Sequence, residues 1–184
     1  MDDISRDAAI SKKTIYKSFE DKNQLVQRLV GDLLLCFKKH LDECKNEAEN
    51  PIEEVILFSQ TPLNLIGKIS PTFFFELKKF FPAIWKMIEE LNKNVLVPFI
   101  AQNIRKGIDA DLYRPGIDIP FAANLRLQQI TSVFDVKTFA DSLVGPTRLV
   151  MQLTEFYQHA IATQKGKRLI NKYLNVDNER QFSN

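Results

Sequence analysis

The sequence predicts an all-α protein, and three observations support this fold class. Apolar side chains recur every three or four residues along most of the chain, which is the helical period. The six glycines and eight prolines are few and fall mainly at the breaks between these stretches. No stretch alternates apolar and polar residues before a turn, as a β-hairpin would. With 184 residues, the chain is expected to form one compact body with at most a small appendage.

Composition narrows the class of protein further. Hydrophobic residues make up 45% and charged residues 26%, as in globular proteins, and the net charge is only +2. Any contact with nucleic acid must therefore come from local charge. Two cysteines cannot build a disulfide framework, the acidic start lacks a signal peptide, and no apolar run reaches the roughly 18 residues of a membrane helix. A cytoplasmic protein without a membrane segment is expected.

The first 25 residues predict a helix-turn-helix. Residues 1–8 can form a short helix, and Ser11 is a suitable N-cap for a second helix over residues 12–19. On that second helix, Ile15 and Phe19 are four residues apart and are expected to face the core. In a helix-turn-helix, the second helix enters the DNA major groove.

A long helix over residues 21–47 follows, with Asp21 and Gln24 as a capping box. Asn50 and Pro51 repeat the start signal, and further prolines stand near the first turns of later helices. The predicted later helices cover residues 52–67, 72–80, 83–107, 119–134, 146–163 and 166–174.

The second helix of the predicted helix-turn-helix has the local charge that DNA binding needs. From Ser11 to Phe19 there are three lysines and no acidic residue. Lysines placed this way can bind phosphates in a salt-sensitive manner. The alternative is a lysine-rich face that is merely solvated. The residues left outside the core are Lys12, Lys13, Thr14, Tyr16 and Lys17.

The order of residues 3–25 resembles the helix-turn-helix signature of the tetracycline-repressor-like (TetR) family of bacterial transcription regulators. Residues 107–114 and 162–166 resemble further phrases of that family. The resemblance implies a partial helix-turn-helix DNA-binding domain in residues 1–25, without the family's first helix, and a helical ligand-binding and dimerisation domain in residues 26–184. The most specific matches are Ala8-Ala9-Ile10-Ser11, Thr14-Ile15-Tyr16, Phe19 and the Lys22-x-x-Leu25 that opens the long helix.

The resemblance also assigns DNA contacts. Lys12, Lys13 and Thr14 would lie nearest the base edges, whereas the phosphates would be bound by Ser11, Tyr16, Lys17 and Lys22. Lys13 stands where the family often has glycine, as does Ala9 in the turn. If that turn needs a positive φ, an alanine costs on the order of 1 kcal/mol. Without the family's first helix, we expect the helix-turn-helix to be loosely held. Three alternatives are open: the sequence is part of a longer protein, Met1 is an internal methionine taken as a start, or the chain is a truncated regulator that has lost DNA binding.

Aromatic residues are concentrated between residues 58 and 99. By resemblance, such side chains line a ligand cavity for a small hydrophobic or aromatic molecule. Phe58, Phe75, Trp85 and Phe99 are the predicted ligand-binding residues. The alternative is that they are core residues, which is the commoner role of an aromatic at helical spacing.

Two further predictions concern assembly and chemistry. By resemblance, the helices over 119–134 and 146–163 form a four-helix bundle with a second copy, which gives a homodimer. Cys36, His40 and Cys44 lie four residues apart on one helix and could suggest a soft metal site or a thiol sensor. Three ligands on one straight helix cannot readily surround a tetrahedral ion, so packing is the favoured interpretation. No cofactor, metal or catalytic residue is predicted, and the chain is not expected to be an enzyme.

Together these patterns predict a homodimeric, ligand-responsive transcription regulator. Its partners would be double-stranded operator DNA and a small hydrophobic inducer that releases the repressor. The alternative is a dimeric small-molecule-binding or interaction protein that has lost DNA binding.

Overall fold

The computed structural model describes residues 5, 6, 9, 11–60, 71–135, 138 and 145–181. No strand occurs in these residues, so the predicted all-α class is confirmed. The helices are α1 (Lys12–Ser18), α2 (Lys22–Glu47), α3 (Pro51–Gln60), α4 (Pro71–Phe80), α5 (Pro82–Leu91), α6 (Val97–Asp109), α7 (Ile119–Ser132), α8 (Pro146–Ile161) and α9 (Gln164–Gln181).

Side-chain caps fix several helix starts at the predicted residues. Ser11 Oγ accepts a hydrogen bond from Thr14 N at 3.1 Å, and Asp21 Oδ1 accepts one from Gln24 N at 2.8 Å. Gln24 Oε1 in turn accepts from Glu20 N, one residue before the capping-box position, at 2.7 Å. Asn50 Oδ1 caps α3 in the same way. These bonds satisfy N–H groups that have no partner within the helix.

Several predicted boundaries differ from the structure. Residues 61–67 of the predicted helix 52–67 lie outside the described residues, as does most of the predicted helix 1–8. The prediction 146–163 was too long because Ala162 has extended backbone and forms an isolated β-bridge with Tyr113. The final helix runs to Gln181, beyond the predicted residue 174.

The predicted helix 83–107 is interrupted by a π-helical turn, Asn92–Leu96, between α5 and α6. Val97 N donates to the carbonyl of Asn92, five residues back. The π-turn ends two residues before Pro98, which has no N–H and whose ring clashes with the carbonyl four residues before it in a regular helix. Widening the helix lets the chain continue through the proline.

The two later segments whose sequences resemble the TetR family, residues 107–114 and 162–166, pack against each other. Leu112 O accepts from Thr163 N at 2.9 Å, and Arg114 N donates to Ile161 O at 2.8 Å. Gly166 lies so close to Leu112 that a Cβ at this position would overlap its carbonyl oxygen. This junction joins the α6–α7 turn to the start of α9.

Buried apolar side chains form a core between these helices. One cluster joins the end of α2 to α3, α6 and α7, and a second joins α3 to α8 and α9. A third cluster, around Val30, Leu77 and Ile84, packs α4 and α5 on the middle of α2. Within the described residues, no helix is both long and apolar enough to cross a membrane.

Candidate DNA-binding and ligand-binding sites

The described side chains of α1 that are predicted to bind DNA lie on its outer surface. Ile15 is buried beneath it, and Phe19 is half-buried, which agrees with the predicted inner face. The backbone of Lys12 lies in the first turn of α1, whereas its side chain lies outside the described residues. The exposed predicted residues of this segment are Ser11, Lys13, Thr14, Tyr16 and Lys17.

The turn before α1 has a positive φ at its alanine, the conformation whose cost was considered in the sequence analysis. Ala9 has a φ of 52°, and its N–H donates to Arg6 O at 3.2 Å. This is the left-handed region, where an alanine is disfavoured by about 1 kcal/mol. The turn therefore carries a small local cost.

Lys22 lies at the first residue of α2, next to the Asp21 cap. Its Nζ is 5.6 Å from the centre of the Phe81 ring, a cation–π distance. The lysine is exposed, so its charge remains available at this helix N-terminus.

A cavity of about 1230 Å³ lies between α2, α3, α4, α5 and α7. This volume exceeds the roughly 300 to 1,000 Å³ of typical ligand pockets. Most of its exposed wall is apolar. The aromatic side chains in the wall are Phe37, Phe58, Phe73, Phe74, Phe75, Trp85 and Phe134.

Three of the four predicted ligand-binding residues, Phe58, Phe75 and Trp85, lie in this wall. Phe99 does not, because it is buried in the core behind Phe58, with ring centres 5.6 Å apart. Lys45 Nζ lies 5.5 Å from the centre of the Phe99 ring. Phe99 is therefore not a wall residue, and a contact between its side chain and a ligand stays a prediction.

Sequence reasoning missed other wall residues. Phe37 of α2 and Phe73 and Phe74 of α4 are not among the predicted ligand-binding residues. All three line the cavity. Helical periodicity predicts which side chains face inward, but it does not distinguish a cavity wall from a packed core. The sequence therefore contains no signal that would have identified these three phenylalanines as wall residues.

Polar groups form the smaller part of the exposed cavity wall. His40 lies there, and Cys44 Sγ is 3.2 Å from its Nε2. Burial lowers the pKa of His40 and raises the pKa of Cys44 to about 12. Cys36 is exposed, so the three side chains do not share one environment. Among the described residues, no three His, Cys, Asp or Glu side chains are grouped as a metal site would require.

Three large apolar side chains of α7 and α8 are exposed. Phe121 and Leu125 project from α7, and Phe156 from α8, where 67% of its surface is exposed. A shallow depression beside Phe156 is lined by Leu149, Gln152, Leu153, Glu155 and His159. Protein interfaces often cover large exposed apolar side chains of this kind.

A solved structure has a similar arrangement of helices. The ketosteroid transcriptional regulator KstR2 of Mycobacterium tuberculosis, a TetR-family regulator, matches with a TM-score of 0.63 and 17% identity. The alignment covers 88% of this chain and 84% of KstR2. No protein-family profile matches the chain, and no curated protein matches its sequence. The helices described above are therefore arranged in the TetR-like fold, as the N-terminal resemblance predicted.

Proposed function

We propose that the chain is a homodimeric DNA-binding transcription regulator, a repressor that a small hydrophobic or aromatic ligand releases from its operator. The likeness to KstR2, a transcriptional regulator, supports the general class. The observation that carries the proposal is the course of α2. This helix starts directly after the basic helix α1, and its middle forms part of the cavity wall through Val30, Leu34 and Phe37.

In this proposal, α2 transmits the signal. Its 26 residues span about 39 Å, and Val30 lies eight residues, or about 12 Å, from its start. A ligand that presses on Phe37 and Leu34 moves the same rigid element that carries α1. The shift in DNA affinity is limited by the difference in the ligand's affinity for the two positions of α2.

The DNA-binding residues in this proposal are those of α1 and its flanks. Lys12, Lys13 and Thr14 face base edges, while Ser11, Tyr16, Lys17 and Lys22 bind phosphates. Their exposure is what such contacts need, with the side chain of Lys12 outside the described residues. Residues 1–25 then act as the DNA-binding unit, and residues 26–184 bind ligand and dimerise.

Dimerisation is assigned to the exposed apolar side chains of α7 and α8. The partner chain's equivalent surface would cover Phe121, Leu125 and Phe156 in a twofold arrangement, in which each residue meets the same surface. A dimer also allows two α1 helices to enter successive major grooves, about 34 to 36 Å apart.

The test is binding of the full chain to duplexes that flank its own gene, measured by fluorescence anisotropy with nonspecific competitor from 50 to 300 mM salt. We expect one duplex to be bound specifically with a steep salt dependence. Lys17→Ala should weaken binding to all duplexes and reduce the log–log salt slope by about 1. Lys172→Ala, which removes an exposed lysine of α9, serves as the matched control and should leave the slope unchanged.

If every duplex is bound only weakly and nonspecifically, the proposed function as a DNA-binding regulator is refuted. That result would favour the second reading, a dimeric ligand-binding or interaction protein without DNA binding.

A further inference from the structure

The cavity wall contains a buried arginine. Arg126 of α7 is only 2% exposed and lines the cavity together with Leu127 and Val150. Its guanidinium donates hydrogen bonds to three acceptors and lies 4.7 Å from the centre of the Tyr157 ring. The acceptors are Leu153 O at 3.0 Å, Thr154 Oγ1 at 2.7 Å and Gln129 Oε1 at 3.4 Å.

All these partners of Arg126 are uncharged. Among the described residues, no carboxylate lies within ion-pair distance of it. Burial lowers the pKa of Arg126 to about 10, so the side chain is still a cation at neutral pH. A buried charge without a counter-ion is costly, and neutral hydrogen bonds compensate only part of that cost. Arg126 also has more N–H donors than its three bonds use.

The other titratable side chains of the wall are either exposed or uncharged, unlike Arg126. Lys78 and Lys93 are exposed and lie where solvent screens them. Glu89 and Asp135 are also exposed; Glu89 accepts from Trp85 Nε1, and Asp135 from a threonine hydroxyl. His40, although buried, has a lowered pKa and is neutral at pH 7. Among the described wall residues, Arg126 is therefore the buried permanent charge.

We propose that the ligand of this cavity is an amphipathic organic acid whose carboxylate pairs with Arg126 while its apolar body packs on Phe58, Phe74 and Trp85. The inference rests on the proposed ligand-binding function of the cavity. A carboxylate matches the planar guanidinium in shape and charge, and the pair is strongest where water is excluded. A phosphate monoester would bring close to two negative charges to one buried cation.

The test compares two probes with the same skeleton, 1-pyrenebutanoate and 1-pyrenebutanol. Trp85 is the only tryptophan of the chain and lies in the wall, so energy transfer to bound pyrene quenches its emission. We expect the wild-type chain to bind the acid at least about tenfold more tightly than the alcohol.

Three variants locate the charge responsible. Arg126→Gln should reduce the acid-to-alcohol affinity ratio to about one. Arg126→Lys keeps a cation and should retain part of the preference. Lys93→Gln, at the exposed edge of the wall, should leave the ratio unchanged. Circular dichroism and thermal melting show whether each variant is folded.

A salt series on the wild-type chain gives an answer even if Arg126→Gln does not fold. Pairing with buried Arg126 is weakly screened, so the acid preference should persist at 1 M salt, whereas pairing with Lys78 or Lys93 should be lost. Equal affinity for acid and alcohol, a preference that survives Arg126→Gln, or one abolished by salt would each overturn the proposal.

The outcomes also separate this inference from the proposed function. If neither pyrene compound binds, both the inference and the ligand-binding role of the cavity are refuted. If the acid preference depends on Arg126 but the chain does not bind DNA specifically, the regulator is refuted and the acid site stands.

Discussion

Substitution of Gly166 by alanine tests the junction between the α6–α7 turn and α9. The added Cβ would overlap the carbonyl oxygen of Leu112 and lie 3.2 Å from the Cβ of Ala162. That carbonyl cannot move freely, because it accepts hydrogen bonds from Thr163 N at 2.9 Å and Thr163 Oγ1 at 3.3 Å. The substitution must therefore displace backbone rather than a flexible side-chain end.

The magnitude follows from three contributions. Overpacking costs about 1 to 3 kcal/mol, and weakening the Thr163 hydrogen bond costs about 0.5 to 1.5 kcal/mol. The better helix propensity of alanine returns at most about 1 kcal/mol at this N-terminal position of α9. We expect the free energy of unfolding to fall by about 2 kcal/mol.

Urea denaturation followed by circular dichroism measures this change, with Gly31→Ala as the matched control. Gly31 lies inside α2, and a Cβ there would meet nothing within 4 Å. The control should therefore raise the free energy of unfolding by about 0.5 to 1 kcal/mol. If Gly166→Ala is as stable as the wild-type chain, or shifts stability in the same direction as Gly31→Ala, the close approach to Leu112 is wrong.

Three further predictions concern individual side chains. At pH 8, we expect one thiol per native chain to react with Ellman's reagent, and two thiols after denaturation. Cys36 is exposed, whereas a pKa of about 12 leaves roughly one Cys44 in ten thousand as thiolate. Rapid reaction of both native thiols would contradict this prediction. If the proposed dimer forms through α7 and α8, Phe156→Glu should shift the chain to a monomer in sedimentation, whereas Leu35→Glu, at an equally exposed apolar residue (67%), should not. Because the pKa of His40 is lowered in the folded chain, the unfolded chain takes up a proton at this residue first as pH falls. The free energy of unfolding should therefore fall as pH drops below about 6.5, and His40→Gln should reduce that dependence when urea midpoints are compared across pH. An unchanged pH dependence in the variant would exclude His40 as its origin.

Helix starts could be predicted from the sequence because the signal is local. Ser11, Asp21 and Asn50 each carry a side-chain oxygen that caps N–H groups two or three residues ahead, and the structure confirms all three. Helix ends were less accurate where tertiary contacts decide them. The bridge between Tyr113 and Ala162 ends α8, and no pattern near residue 162 predicts it.

The candidate cavity was only partly predictable for a different reason. Phe58 and Phe99 have the same residue type and both face inward, yet Phe58 lines the cavity and Phe99 lies behind it. That difference depends on how far neighbouring helices stand apart, which helical spacing does not encode. Arg126 was missed because a basic residue in an amphipathic helix is normally exposed, whereas this one reaches α8 through Leu153 and Thr154.

The distribution of buried polar contacts indicates which side of the molecule can respond to a ligand. The start of α3 is held by directional bonds, since Tyr113 Oη donates to Pro51 O at 3.1 Å and Gln158 Nε2 to Ile52 O at 2.8 Å. These bonds tie α3 to the α6–α7 turn and to α8. Displacing α3 would break them and leave buried polar groups without partners, at about 1 to 3 kcal/mol each.

On the other side, α2 meets α4 and α5 mainly through apolar side chains such as Val30, Leu77 and Ile84. Apolar contacts are not directional, so these helices can slide by a fraction of a side chain and still exclude water. A ligand that fills the cavity therefore meets less resistance from α2, α4 and α5 than from α3 and α8. Because α2 also carries α1, the more compliant wall of the cavity is the one connected to the candidate DNA-binding helix.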